Sequence, residues 1–329
     1  MLTALVCAMA SCAVAFAQQI DPANTALIRV LHSLGDQNRV QTGMIRNVLL
    51  LSDGTQALTC GTDGCVCLWD IESQKIIRRF ADEDCIIAYC MVLTADEKRL
   101  ITAGQGGPVN LWDVETGERI RSWDHTNTVF SIVLREDQQS FLFGDSQGQI
   151  TLQRLDADEP VKSFRDTSND VTALTLLPDG SGFLSGNDQG TVSVWQFDGE
   201  EPADSLEGLE GTICCLRYSN EGNQLLGCDY NGNVMMWNAD DRKKIWRKKE
   251  LSGDIVWAHF LDDETAVVVD ADDAFYLLNR ETGNAKKKDI KLPAAAGFVL
   301  SPDKQTIWSG GNNVLCGWDL ETAERVFPS

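Results

Sequence analysis

Met44 to Asp70 reads MIRNVLLLSDGTQALTCGTDGCVCLWD. An apolar run ends at the turn Ser52-Asp53-Gly54. A short strand-like segment, Ala57 to Cys60, follows, then a second turn at Gly61 to Gly64, and Cys65 to Trp69 alternates into a third strand. The same plan returns at Val129 to Gln153 (VFSIVLREDQQSFLFGDSQGQITLQ) and at Val171 to Trp195 (VTALTLLPDGSGFLSGNDQGTVSVW). Two markers count it. A turn acid stands at Asp53, Asp96, Asp137, Asp179, Glu221, Asp263 and Asp303; the third strand ends at Trp69, Trp112, Gln153, Trp195, Trp237, Leu278 and Trp318. Both series advance by 40 to 43 residues, and the two markers stay 15 or 16 apart. Short strands and turns at that period are an internal repeat of one antiparallel meander.

The period, the acidic turn and the pairs Trp69-Asp70, Trp112-Asp113 and Trp318-Asp319 resemble WD40 repeats. The resemblance implies an all-β fold, a seven-bladed WD40-type β-propeller with four antiparallel strands per blade, over residues 43–329. Trp69, Trp112, Trp195, Trp237 and Trp318 read as rings that pack one sheet on the next, with Asp63, Asp70, Asp113 and Asp319 as further repeat positions. Gln153 and Leu278 depart from the pattern. In this family an Asp six residues before the Trp anchors a side-chain network. Asp63 fits, but Gly106, Gln147, Gln189, Asn231 and Asn312 stand at the matching positions, so the network is expected to be partial. The fold alone names no function, because it hosts many.

The seven repeats fill the 329 residues as one domain. Lys and Arg total 28 against 49 Asp and Glu, a net charge of −21. Such a chain repels phosphate backbones and anionic lipid, which leaves basic proteins or peptides as the expected partners of a monomer. Residues 1–17, MLTALVCAMASCAVAFA, are uncharged and end Ala-Phe-Ala. They read as a secretory signal peptide cleaved after Ala17, too short to span a bilayer comfortably, and place the protein in the periplasm or outside the cell. In residues 18–42, Asp21-Pro22 could open a helix. Alternatively Ala26 to Leu34 serves as the outer strand that closes the ring. The latter is expected, in competition with Glu324 to Phe327.

Two of eleven cysteines, Cys7 and Cys12, fall in the signal, and nine is an odd remainder. Most lie on strands, where Cys acts as a small apolar residue; neither zinc nor haem spacing is present, and no metal or cofactor is expected. Nucleotide loops and hydrolase elbows are missing, and His32, His125 and His259 are scattered. A propeller enzyme with a metal site in the central channel would need carboxylates on inner strands, yet those read apolar. Quinone-cofactor propeller dehydrogenases are similar only through Asp113 to Trp123 and the pair Cys214-Cys215, and that family has eight blades. A non-catalytic, exported protein–protein interaction scaffold is the leading expectation.

Charge placement suggests where it binds. The loops joining outer to inner strands and the turns between middle strands share one face in this fold, and both are acidic. Asp82, Glu83, Asp84, Asp124, Asp270, Asp272 and Asp273 are the expected docking residues. The alternatives are a solvated surface or a weak calcium site near Asp270. A basic rim, Arg242, Lys243, Lys244, Arg247, Lys248, Lys249, Lys286, Lys287 and Lys288, gathers on two neighbouring outer strands. It reads as protection against edge pairing or as a patch for an acidic partner.

Overall fold

The computed structural model describes residues 44–329 apart from 74, 81–84, 167–168, 250, 252, 273, 289–296, 312–313, 323 and 328–329. The chain divides into two units, Met1–Thr42 and Gly43–Ser329. The signal segment and Ala26 to Leu34 lie outside the described residues, and every blade belongs to the second unit.

Alternating side chains and turn residues give 28 strands, numbered in chain order, in seven antiparallel sheets of four, each built from consecutive strands. Blade 1 holds β1 (Ile45–Leu50), β2 (Gln56–Gly61), β3 (Val66–Asp70) and β4 (Lys75–Phe80). The other inner strands are β5 (Ile87–Leu93), β9 (Val129–Leu134), β13 (Val171–Leu176), β17 (Ile213–Tyr218), β21 (Ile255–Phe260) and β25 (Gly297–Leu300). The other outer strands are β8 (Arg119–Trp123), β12 (Lys162–Arg165), β16 (Asp204–Leu206), β20 (Lys244–Lys248), β24 (Ala285–Lys288) and β28 (Arg325–Phe327). This is the seven-bladed β-propeller that the repeat implies.

Burial follows from the stacking of sheets. Second strands such as Ser140–Asp145 and Gly182–Asn187 are buried along their whole length, because both faces meet a neighbouring blade. Trp195 is wholly buried, its ring lying parallel to that of Phe183 at 5.9 Å. Inner strands adjoin one another from blade 1 to blade 6, and β1 adjoins β25 of blade 7. At that closing contact a Cβ on Gly310 would stand 2.4 Å from Ile45, so only glycine lets blade 7 seat against blade 1. The outer slot of blade 7, expected for Ala26 to Leu34, holds β28, whose Arg325 pairs with Trp318 and whose Phe327 pairs with Gly317.

A belt of polar contacts links the outer edges of successive blades. Arg78 of blade 1 donates to the Val114 carbonyl at 2.6 Å, and the Trp123 indole of blade 2 to Ala157 at 2.8 Å. Lys162 of blade 3 reaches the carbonyls of Phe197 and Gly199, and the Trp246 indole of blade 5 reaches Arg280. Between blades 4 and 5 the direction reverses, with Arg242 donating to Asp204.

The marker residues have local work. Asp53, Asp137, Asp179 and Asp303 accept backbone N–H groups two residues on and so hold the first turn of their blades. Blade 6 uses Asp262 for this, one residue before the marker Asp263. Asp70, Asp113 and Asp319 cap the turn into the outer strand by accepting from Ser73, Thr116 and Thr322.

The strand-end side chains bond differently from blade to blade. Trp69, Trp112 and Trp195 each donate to a Thr or Ser hydroxyl at 2.8 Å, and Trp318 to Ser309 at 3.3 Å. Gln153 instead donates to the carbonyls of Arg154, Ala157 and Glu159.

Candidate functional site

Loops from outer to inner strands and turns between middle strands do share a face. Backbone bonds join them in pairs: Ser146 to Thr128, Asp188 to Asp170, Tyr230 to Thr212, and Ala271 to Asp254.

The turns repeat one device. The residue ending the second strand is Asp145, Asn187, Asp229 or Asp270 in blades 3 to 6, and all four are wholly buried. In each, one side-chain oxygen accepts the N–H groups two and four residues on, at 2.8–3.0 Å. The second oxygen of the aspartates reaches further. In Asp145 it meets His125 and Asn127, in Asp229 the N–H groups of Glu210 and Gly211, and in Asp270 the Tyr276 hydroxyl. For blades 3 and 5 that ties the incoming loop to the turn and fixes the face. Asp270, expected on the docking surface or at a calcium site, is therefore a buried hub, its oxygens engaged by its own blade.

Among the described residues the exposed acids of these loops and turns include Asp124, Glu207, Asp254 and Asp272, with Glu210 also exposed but paired to Arg247 and Lys249, and with Asp63, Asp170 and Asp188 half-buried. Burial, then the charges of Asp272 and Asp229, push the Asp254 carboxyl above the usual range. Burial, then Asp188 and Asp145, do the same to Asp170. These carboxylates crowd one another, so a cation placed among them would relieve the repulsion. Asp82, Glu83, Asp84 and Asp273 lie outside the described residues.

Sequence reasoning missed the inner wall. Each of the first six inner strands carries a β-bulge near its start, and the residues skipped by the pairing register are Arg46, Tyr89, Phe130, Thr172, Cys214 and Val256. All six are half-buried and lie at the same end as the acidic turns. The Arg46 guanidinium lies 5.9 Å from the Tyr89 ring, and Tyr89 lies 5.6 Å from Phe130, so a cation and two rings run across blades 1 to 3. Tyr230 and Ile86, 39% and 63% exposed, add apolar surface on this face.

Of the basic rim, Lys244, Arg247 and Lys248 lie on β20 and Lys286, Lys287 and Lys288 on β24, while Arg242, Lys243 and Lys249 flank β20. Among the described residues, no three of His, Cys, Asp and Glu converge as a metal site would require, and no helix is long and apolar enough to cross a membrane. The nine described cysteines are free thiols. Burial pushes those of Cys60, Cys90, Cys214 and Cys228 well above the usual range and that of Cys67 up to about 12, which keeps them protonated and inert.

Two family models match. One, the WD domain or G-beta repeat, matches residues 31–70 and 158–196. The other, described as outer membrane protein assembly factor BamB, matches residues 187–317. No curated protein matches the chain. Repeats and blades together give a seven-bladed β-propeller built from WD40-like repeats.

Proposed function

We propose that the chain is an exported, non-catalytic scaffold that binds basic segments of other proteins on the face carrying the turns and interblade loops. One observation carries this reading: buried turn hubs hold a rigid face on which unneutralised acids, Asp254 with Asp272 and Asp170 with Asp188, flank partly exposed aromatic and aliphatic side chains. A fixed surface of that kind binds without the entropic cost of ordering loops, and crowded carboxylates favour a cationic partner. Export is supported by the uncharged apolar segment 1–17, and a place in the cell envelope by the match to an outer-membrane assembly factor.

The test is capture. Tagged protein is incubated with envelope extract, and the proteins it retains are compared with those retained by the double variant Asp254→Lys, Asp272→Lys. Loss of the retained proteins at an unchanged melting temperature is expected, since both residues are exposed. Retention of the same proteins by the variant overturns the reading.

A further inference from the structure

The basic rim divides into two sets when its contacts are followed. Arg242 pairs with Asp204 at 2.8 Å, Lys243 with Asp241 at 2.9 Å, and Arg247 and Lys249 both with Glu210, at 2.7 and 2.9 Å. Both arginines are thus neutralised within the chain. Lys244, Lys248, Lys286, Lys287 and Lys288 have no ion pair among the described residues. Five lysines without an ion pair among the described residues, on two neighbouring outer strands, are conspicuous in a chain of net charge −21.

Register shows how they spread, because residues opposite one another in a ladder share a face. Lys248 lies opposite Val234, and Lys287 opposite Tyr276, with its Nζ 5.7 Å from the ring centre. Val234 and Tyr276 belong to the core shared by blades 5 and 6, so these two lysines flank the cleft between those blades. Lys286 and Lys288 lie opposite Leu277 and Phe275, which pack toward blade 7. Lys244 lies opposite Trp237, which packs toward blade 4. The charges therefore cover a broad outer surface and follow no single groove.

Lysine is a flexible, strongly hydrated point charge, whereas arginine supplies the planar fork of stereospecific recognition. A patch whose arginines are all sequestered suits a diffuse anionic surface. The exposed aliphatics narrow the choice. Ile77, Ile120, Val161, Ile245 and Val326, 39–55% exposed, recur eight residues after the repeat position in five blades and stud the outer rim. Ile245, the extra residue of the bulge in β20, sits among the unpaired lysines. Water around a soluble polyanion gives such a side chain no reward, but a membrane interface does.

We propose that this lysine patch docks the propeller, rim first, on a bilayer whose headgroups expose phosphate. The overall charge argues against anionic lipid at long range, but at physiological salt a charge acts over about 8 Å, so the local patch decides the encounter. The inference is independent of partner docking on the acidic face.

The experiment is co-sedimentation of the chain 18–329 with vesicles of phosphatidylcholine alone and of phosphatidylcholine mixed with phosphatidylglycerol. Wild type is expected to pellet with the mixed vesicles only, and less as salt is added. The variant Lys286→Ala, Lys287→Ala, Lys288→Ala is expected to lose about a hundredfold in partitioning, at about one factor of five per lysine. Lys244→Ala with Lys248→Ala, on the other blade, gives a second reading should the triple variant lose its fold, and is expected to lose about thirtyfold. Absence of wild-type pelleting, equal pelleting with neutral vesicles, wild-type partitioning by the folded variants, or binding to soluble polyphosphate but not to vesicles would each overturn the proposal.

Discussion

Blades 4 and 6 follow one backbone plan and fill it with opposite chemistry. In blade 4 the Trp195 indole donates to Ser185 at 2.8 Å. Ser185 in turn donates to the buried carboxylate of Asp166 at 2.5 Å, and Ser193 adds a bond at 3.3 Å. In blade 6 Leu278 stands where Trp195 does and pairs with Ala266, while Val268 stands where Ser185 does; both are wholly buried hydrocarbon. The polar work of blade 6 moves outward to Arg280, 4% exposed, whose guanidinium donates to Gln224, Glu221 and the Asp262 carbonyl and so clamps blade 6 to blade 5. The meander is set by turns and alternation, and the interior chemistry of a blade is free to vary so long as its volume is filled.

The largest expected effect tests that equivalence. Trp195→Ala removes a ring packed on Phe183 and Phe164 and strands a buried Ser–Asp pair, so a loss of about 3–5 kcal/mol is expected. Leu278→Ala removes hydrocarbon alone, and about 3 kcal/mol is expected. Urea unfolding at equal m-values measures both. If Leu278→Ala costs more than Trp195→Ala, the polar chain adds nothing to blade 4 and the comparison fails.

The blade count was legible because the turn acids and the strand-end residues repeat independently at one period. The bulges were not, since pairing register depends on contacts between blades; β28 was legible only as the rival of Ala26 to Leu34 for the last outer strand. The acidic face was legible as a location and misread in its members. Asp270 and Asp272 look alike in a turn, yet one is wholly buried and the other exposed. A signal existed: Asp145, Asn187, Asp229 and Asp270 repeat at steps of 42, 42 and 41 residues, and an Asp or Asn held at one place in a turn is a backbone acceptor before it is a charge. Asp166 lay in an acidic loop, with nothing to mark it as the partner of Ser185.

That periodic acceptor yields a smaller effect. Asp270→Ala in blade 6 frees two turn amides and the Tyr276 hydroxyl, and about 2–3 kcal/mol is expected to be lost. Asp270→Asn gives blade 6 the residue that blade 4 carries at Asn187, where one amide oxygen suffices for both turn N–H groups, and about 1 kcal/mol is expected. Asp272→Ala is expected to stay within about 0.5 kcal/mol, as an exposed position should. Thermal unfolding of the three variants ranks them, and an Asp272 variant as damaged as Asp270→Ala would remove the distinction between hub and surface.

The smallest effect separates the two blades by acid. Burial raises the Asp166 carboxyl above its ordinary value, against the lowering influence of the Ser185 and Ser193 hydroxyls. With the folded value above the unfolded one, the folded state holds its proton more tightly. Stability from this group is therefore full below the unfolded value, near pH 4, and is lost as pH rises through the folded value. At neutral pH the ionised carboxylate is a net cost. Asp166→Asn keeps an acceptor for Ser185 and carries no charge, so a higher melting temperature than wild type is expected at neutral pH, with the gain shrinking toward pH 4. In blade 6 Leu278 and Val268, which stand in place of Trp195 and Ser185, carry no ionisable group, so Leu278→Ala is expected to lower stability without changing its pH slope. Melting curves across that range decide it. A gain for Asp166→Asn that grows on acidification would mean that Asp166 is stabilised as the anion, and the polar interior of blade 4 would then be an asset at neutral pH.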